Sequence, residues 1–348
     1  MQEPFVDFGW QGISLSVPEE WNLGRVDGDW KSGYARLDNA EMVRAEVEWR
    51  EAPQRATRLP ISEIVDRYLD KLESKARKAG LDFEIERKAR FLSDKRWLEG
   101  TEYETFIWEA DYRAHNLARI CRDCGRIVLL RLLSRTDEPV ATVRDLANRV
   151  FRSLQDHPTH PGGHSQWSLY GLNFYTLEDY KLSEQELKSG HIKLTFEAAG
   201  RGGHVCRVHR VSMAQTLLNK TDLATWYPTF FRKDLRDFNI EIREVEVRGH
   251  NGLLVSGAPK GRWRQILRPL PLVNPRPRRH LTTAVWHCPE SNRICVVDHL
   301  YKKRDDEGSV VAAMSQDYVC HAQEAASDPR SDAKLEAGTQ RAAEVGED

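Results

Sequence analysis

The sequence predicts an α+β protein of two tandem repeats, each an antiparallel sheet of about six or seven strands flanked by helices. A phrase near the start returns later, because residues 12–23 read GISLSVPEEWNL and residues 171–182 read GLNFYTLEDYKL. A second phrase, KSGYARL at 31–37, returns as KSGHIKL at 188–194, at nearly the same spacing. Two phrases that keep their order and spacing indicate an internal duplication.

The first half begins with short segments that have strand character. Strands are predicted near 12–17, 33–38 and 43–50, and apolar residues recur at every second position in the last of these. A helix is predicted between Pro60 and Gly80, which are ordinary start and stop signals. Its apolar stripe has helical spacing and consists of Ile61, Ile64, Val65, Tyr68, Leu69 and Leu72.

Four more strands and a closing helix complete the first half. The strands are predicted at 83–90, 101–109, 116–122 and 126–134, with short connections between them. The closing helix begins at Pro139 and carries one apolar stripe, namely Val140, Val143, Ala147, Val150, Phe151 and Leu154. The predicted order is three strands, a helix, four strands and a helix.

The second half follows the same plan. A helical segment at 221–235 should be divided at Pro228, and strands are predicted at 239–248 and 252–256. The later TTAVWHCPESNRICVVDHL aligns with NLARICRDCGRIVLLRLL of the first half. The predicted boundaries are repeat 1 at 1–157, a linker at 158–166, repeat 2 at 167–321 with a basic insertion at 259–280, and a disordered acidic tail at 322–348.

Composition limits the classes of partner and the cellular compartment. With 52 Lys and Arg against 53 Asp and Glu, no overall charge draws the chain to nucleic acid or to a membrane. No stretch approaches the roughly 18 apolar residues of a membrane span, and no signal peptide is evident. We therefore expect a cytoplasmic protein whose six cysteines are reduced.

The opening of the chain carries a family resemblance. An apolar strand, then VPEEW at 17–21, then strands, helix, sheet and closing helix resembles the PsbP-like fold. That fold is shared by a photosystem II subunit, a Ran-binding import factor and tandem-domain chaperones of type VI secretion effectors. The second copy reads TLEDY at 176–180, with Leu177 where Pro18 stood. The resemblance implies binding, assembly or chaperone activity without catalysis.

Cysteines at hairpin turns suggest a metal site. Cys121 and Cys124 form a CxxC followed by glycine, a pattern typical of a zinc knuckle. Asp156 and His157, at the end of the closing helix, are candidates for the missing ligands. The comparable residues of the second copy are Cys288, Cys295, Cys320 and His321. The alternative is that the cysteines are small buried hydrophobic residues.

The insertion is the main departure from symmetry. Residues 259–280 read PKGRWRQILRPLPLVNPRPRRH, with several prolines, no acidic residue and one tryptophan. Prolines hold such a segment extended, and its side chains suit an acidic protein or a phosphate backbone. The alternative is a solvated, semi-rigid loop. The candidate partner-binding residues are Arg262, Trp263, Arg264, Arg268, Arg276, Arg278 and Arg279.

Motifs of enzymes are missing from the sequence. It contains no GxSxG, HExxH, Walker loop or dinucleotide fingerprint. The leading hypothesis is therefore a non-catalytic adaptor or chaperone that binds a partner protein, with no cofactor beyond a possible zinc ion. Two alternatives remain open, namely a regulatory protein that binds nucleic acid through 259–280 and a protein stabilised by zinc.

Overall fold

The computed structural model describes residues 4–52, 59–121, 123–157, 163–200, 203–260, 279–302 and 308–321. About half of the described residues are in β-strands, which form antiparallel sheets of seven, seven and four strands. The predicted acidic tail lies outside these residues, as does most of the basic insertion. Within the described part of the chain, no helix combines the length and the apolar character that crossing a membrane requires.

The described residues of the first half form nine strands, two α-helices and a short 3-10 helix at Arg96–Leu98. Along the chain the strands and α-helices are β1 (Phe5–Trp10), β2 (Ile13–Pro18), β3 (Asn22–Gly28), β4 (Ser32–Asp38), β5 (Val43–Glu51), α1 (Ile61–Ala79), β6 (Glu84–Arg87), β7 (Glu102–Glu109), β8 (Tyr112–Ile120), β9 (Arg126–Arg135) and α2 (Val140–Arg152). Seven of these strands form a sheet in the order β3-β4-β5-β9-β8-β7-β6. The helix α1 ends at Gly80, whose φ of 71° is left-handed and suits glycine.

The second half has the same sequence of elements, apart from a divided helical region. Its elements are β10 (Ser165–Leu169), β11 (Leu172–Thr176), β12 (Tyr180–Lys188), β13 (His191–Ala198), β14 (Val205–Ser212), α3 (Ala214–Leu217), α4 (Leu223–Phe230), α5 (Arg232–Leu235), β15 (Phe238–Val247), β16 (His250–Pro259), β17 (His280–Cys288), β18 (Arg293–Tyr301) and α6 (Ser309–Gln316). Its sheet has the order β12-β13-β14-β18-β17-β16-β15, which matches the first sheet position by position.

The smallest sheet joins the two halves. Its order is β11-β10-β1-β2, so the first hairpin of each half meets the other along β1 and β10. Trp10 and Trp167 lie edge to face across this junction, with ring centroids 5.1 Å apart. One buried core runs through this sheet and contains residues of both halves. The predicted linker at 158–166 overlaps β10, which begins at Ser165.

Helices cover both faces of each seven-stranded sheet. The apolar stripe of α1 packs on Phe106 and Ala118, whereas α2 packs on the opposite face and joins the central core. In the second half, Trp226, Tyr227 and Phe231 of the α4–α5 region cover one face, and α6 covers the other. This layering buries the alternating apolar residues on both sides of each sheet.

The sequence does not predict β1 and β3 or their counterparts β10 and β12 in the second half, and one helix break is misplaced. β1 lies at the start of the chain, and β3 has an exposed, mostly polar sequence without an apolar alternation. The predicted strand at 83–90 is reduced to the four residues of β6. Pro228 lies inside α4, and the break follows Phe230 instead.

Candidate functional site

The predicted partner-binding loop connects β16 to β17. Residues 261–278 lie outside the described residues, and with them Arg262, Trp263, Arg264, Arg268, Arg276 and Arg278. Arg279 is described and is partly buried, and burial lowers the pKa of its guanidinium. The loop therefore stays a prediction from the sequence.

Four potential ligands converge in the first half. Cys121 and Cys124 lie in the turn between β8 and β9, and Asp156 and His157 follow α2. One ligand atom from each of these residues lies within 4.8 Å of those of the others. The Sγ atom of Cys121 is 3.5 Å from Nδ1 of His157. The structure thus brings together the CxxC and the two residues that the sequence suggested as its partners.

The carboxylate of Asp156 is the charged centre of this cluster. It is 1% exposed, and its Oδ1 atom accepts from Arg119 at 2.8 Å and lies 2.7 Å from Nδ1 of His157. Its Oδ2 atom has no hydrogen-bond partner among the described residues. Burial, helped by the Asp156 charge, raises the pKa of Cys124 to about 12.

A second cluster occupies the corresponding place in the second half. It contains Cys288 at the end of β17, Cys320 and His321 after α6, and His250 at the start of β16. Nδ1 of His321 lies 3.4 Å from Sγ of Cys288 and 3.3 Å from Sγ of Cys320. Nε2 of His250 lies 3.2 Å from Sγ of Cys320. All four residues have a ligand atom within 4.8 Å of the others.

The same backbone contacts position both clusters. After α2, Gln155 forms two backbone hydrogen bonds with Ser14 of β2, at 2.8 and 3.0 Å. After α6, the backbone N–H of Val319 donates to Asn173 of β11 at 2.8 Å. Each contact holds the next two residues of the chain beside the end of a hairpin. Those two residues are Asp156 and His157 in one half, and Cys320 and His321 in the other.

A matching arginine supports each hairpin end. Arg126 donates to the backbone oxygen of Gln11 at 2.8 Å and to that of Asp156 at 3.1 Å. Arg293 donates to the backbone oxygen of Gly171 at 2.9 Å. In each half, the arginine therefore ties the start of the last strand to the tip of the first hairpin.

Cys295 does not join the second cluster, and His250 was missed. Cys295 is 1% exposed and lies within β18, opposite Trp286 of β17, as part of the core. Reasoning from the sequence did not single out His250, because it comes from the turn between β15 and β16. The available signal was a polar histidine beside the glycines of that turn, in RGHNG at 248–252.

One sheet edge is long and regular. β15 pairs with β16 over ten residues without a shift in register, and no described strand pairs with its other side. The edge strands β3 and β12 each contain a register shift, and β6 has four residues. The exposed charged residues of β15 are Glu241, Arg243, Glu244 and Glu246.

Comparison with known proteins finds similarity only at the level of solved structures. No family model matches the chain, and no curated protein matches it. The T6SS immunity protein TplEi of Pseudomonas aeruginosa, complexed with "L" peptide, is 10% identical with a TM-score of 0.34, over 90% of this chain and 97% of that one. A chain of the Tle4–Tli4 complex is 10% identical with a TM-score of 0.33, over 91% of this chain and 98% of that one.

The PsbP resemblance of the sequence recurs among the solved structures. The PsbP of Synechocystis is 16% identical with a TM-score of 0.32, and the match covers 44% of this chain and 93% of that chain. The match to one PsbP therefore spans slightly less than half of this chain. With TM-scores below 0.5, these similarities leave partner and function to be argued from the geometry of the chain itself.

Proposed function

We propose that the chain is a non-catalytic adaptor or chaperone that binds a partner protein, in the cytoplasm, through the edge of its second seven-stranded sheet. The observation that carries this proposal is β15, a ten-residue edge strand whose pairing with β16 is regular throughout. Such an edge offers a row of backbone donors and acceptors to an added strand. Bulges or short length limit that role at β3, β12 and β6.

The charge of the edge selects the kind of partner. Its exposed charged side chains are three glutamates and one arginine, namely Glu241, Glu244, Glu246 and Arg243. A second copy of β15 would bring glutamates close to glutamates, which is unfavourable in paired strands. An extended segment rich in lysine or arginine would instead pair its charges with the edge. We therefore propose a basic extended segment of another protein as the partner.

The matching sheets support an origin by duplication. The two seven-stranded sheets have the same strand order, and a helix region separates the third and fourth strands of each. We infer that two PsbP-like repeats give the chain two equivalent scaffolds. One of them has extended its last edge strand from the four residues of β6 to the ten of β15. The proposal thus assigns binding to the second repeat.

A pair of proline variants tests the edge. Neighbouring backbone N–H groups of an edge strand point alternately to the sheet and to solvent. Of the two variants Glu244→Pro and Val245→Pro, one removes an N–H group that points to solvent, so it should keep the fold and block an added strand. The other removes an N–H group that bonds to β16, so it should disturb the sheet. Tagged chain is purified from its native host with nuclease present, and co-purifying proteins are identified. We expect the folded proline variant to lose a partner that the unmodified chain retains.

Two results would contradict this proposal. One is a partner retained by both proline variants and by Glu244→Lys, because the edge would then be unnecessary. The other is a set of partners that disappears with nuclease and weakens steeply with salt, as phosphate contacts require. That result would favour the nucleic-acid alternative, which depends on the basic segment at 259–280, most of which lies outside the described residues.

A further inference from the structure

We propose that the chain binds two zinc ions, one in each half. The first site consists of Cys121, Cys124, Asp156 and His157, and the second of His250, Cys288, Cys320 and His321. Each site joins the end of a hairpin to the segment that follows the closing helix. Neither site contains a residue of β15, although His250 of the second site pairs with Val247 at the end of that strand.

The spacing of the ligand atoms fits one tetrahedral ion. Zinc bonds of about 2.3 Å to sulfur and about 2.0 Å to nitrogen place those two ligand atoms about 3.5 Å apart in a tetrahedron. The observed sulfur–nitrogen distances are 3.5 Å from Cys121 to His157 and 3.4 Å from Cys288 to His321. Those from Cys320 to His321 and to His250 are 3.3 and 3.2 Å. The side chains are therefore already arranged around a common centre.

The ligand types select zinc over the hard cations. Two thiols and one or two imidazoles are soft or borderline ligands, whereas calcium and magnesium prefer sets made of oxygen. The only carboxylate of the two sites is that of Asp156, and its Oδ1 atom accepts from Arg119. Its Oδ2 atom is buried and has no hydrogen-bond partner among the described residues. A bound cation would satisfy that atom. The Arg119 contact is the kind of outer interaction that orients a metal ligand.

Simple burial of cysteine does not explain the convergence. Cys206 and Cys295 are buried at 0% and 1% exposure within strands, and neither gathers histidines around its sulfur atom in a potential metal site of the described residues. Cys121, Cys124 and Cys288 lie instead at strand or hairpin ends, and Cys320 follows α6. Each cluster includes a histidine from a distant segment. The same kind of cluster occurs at the corresponding place in both halves. Two such convergences are unexpected from apolar packing alone.

The two sites should differ in their affinity for zinc. The second has two thiols and two imidazoles, all from residues of low exposure except His321. The first replaces one imidazole by a carboxylate that is shared with Arg119, and its Cys124 is partly exposed. We therefore expect a competing chelator to remove zinc from the first site before the second.

The test measures metal content in the full reduced chain. We expect two zinc ions per chain by elemental analysis, and one ion after Cys121→Ser or after Cys288→Ser. Matched controls are Cys206→Ala and Cys295→Ala, which remove buried cysteines outside both sites and should retain two ions. Cobalt, added alone to the metal-free chain, should give the visible absorption bands of tetrahedral thiolate sites, and each serine variant should lose about half of their intensity.

A variant that preserves ligation separates metal loss from misfolding. His250→Ala should lose one ion, whereas His250→Cys supplies another ligand and should retain it. The proposal is overturned if the folded, reduced chain takes up no stoichiometric zinc or cobalt. It is equally overturned if the variants at Cys121 and Cys288 bind as much metal as the controls do. Variants of the first site change no residue that pairs with β15, so the two proposals can fail separately.

Discussion

At the scale of single residues, the two sheets exchange the signs of one ion pair, which is partly buried in the first sheet and more deeply buried in the second. In the first sheet Glu46 of β5 lies opposite Arg131 of β9, and their side chains are 2.8 Å apart. At the same position of the second sheet, Arg207 of β14 lies opposite Asp298 of β18, at 3.0 Å. The central strand pair of each sheet therefore keeps one cation and one anion, whichever strand supplies them.

The first prediction concerns Asp298. Burial alone would raise its pKa, but the charges of Arg207 and His209 outweigh burial and hold the pKa below its usual value. Asp298→Asn leaves the Arg207 guanidinium, 12% exposed, with Asp234 as its remaining anionic partner. We expect a loss of about 3 kcal/mol in the free energy of unfolding, measured by chemical denaturation.

An exposed ion pair provides the control for Asp298. Glu184 and Lys193 are 3.5 Å apart on the solvent side of β12 and β13, and the glutamate side chain is 61% exposed. Glu184→Gln should cost less than about 1 kcal/mol, because water screens exposed charges. An equally small loss in Asp298→Asn would show that the buried pair adds little to stability.

The second prediction concerns His115, which is buried in β8 against Phe91. Burial, helped by the positive charges of Arg113 and Arg144, lowers its pKa to about 4. The unfolded chain therefore takes up a proton first, with a pKa near 6.5, and protonation favours unfolding. Stability should fall as the pH drops from about 6.5 to about 4, by up to about 1.4 kcal/mol per pH unit.

The variant His115→Leu should remove the contribution of His115 to the pH dependence of stability, while an apolar side chain fills its place in the core. The change in the free energy of unfolding between about pH 7.5 and about pH 5 is measured for both proteins. Subtracting one change from the other cancels the titrating groups that the two proteins share. Burial and the nearby His209 also lower the pKa of His191 to about 4. His191 is present in both proteins, so its contribution to the pH dependence is the same in each. An unchanged difference between the two pH values would contradict the role of His115.

At the scale of elements, periodicity was a better guide to helices than to edge strands. The helices α1 and α2 were predicted from apolar stripes and capping signals, because each buries one face. β3 is exposed along most of its length, so its sequence carries no alternation to read. The CxxC motif predicts that Cys121 and Cys124 lie at a hairpin turn. His250 joins the second cluster only through tertiary contacts, which local sequence does not encode.

The third prediction compares two arginines that hold hairpin tips. Arg126 is 1% exposed, donates to the backbone oxygens of Gln11 and Asp156, and has its guanidinium carbon 3.4 Å from the centroid of the Trp30 ring. Burial lowers its pKa to about 10. Arg126→Ala removes two hydrogen bonds and a stacked cation, so we expect a loss of about 2–4 kcal/mol in chemical denaturation.

Arg293 is the counterpart in the second half. It is less buried and donates to the backbone oxygen of Gly171 at 2.9 Å. Arg293→Ala should therefore cost about 1 kcal/mol, roughly the value of one hydrogen bond. If the two variants cost the same, the extra contacts of Arg126 contribute nothing measurable.

At the scale of the whole molecule, the small sheet joins the two halves. The backbone of Gly9 in β1 faces Ser168 in β10, and a Cβ atom on Gly9 would lie 2.9 Å from the backbone oxygen of Gln166. Ser168 also donates to the backbone oxygen of Asp7 at 2.6 Å. The close approach of these strands lets Trp10 and Trp167 share one core.

The last prediction follows from that shared core. Residues 1–160 and 161–348, expressed separately, should each expose one face of the junction, including Trp10 at 0% or Trp167 at 2% exposure in the intact chain. Burying a tryptophan contributes about 3–5 kcal/mol, which is a large part of the stability of one domain. We expect each half alone to aggregate or melt early, and the co-expressed halves to form a stable one-to-one complex by size-exclusion chromatography.

Gly9→Val tests the same junction in the intact chain, because a side chain there meets backbone and the strands must separate. It should lower the melting temperature markedly, whereas Gly190→Ala, at a glycine with open space around its Cβ position and a φ outside the left-handed region, should leave it nearly unchanged. Two halves that fold separately, remain monomeric when mixed and melt as the intact chain does would contradict this view. The four-stranded sheet would then be a contact between finished domains, and the duplicated scaffolds would be free to evolve apart.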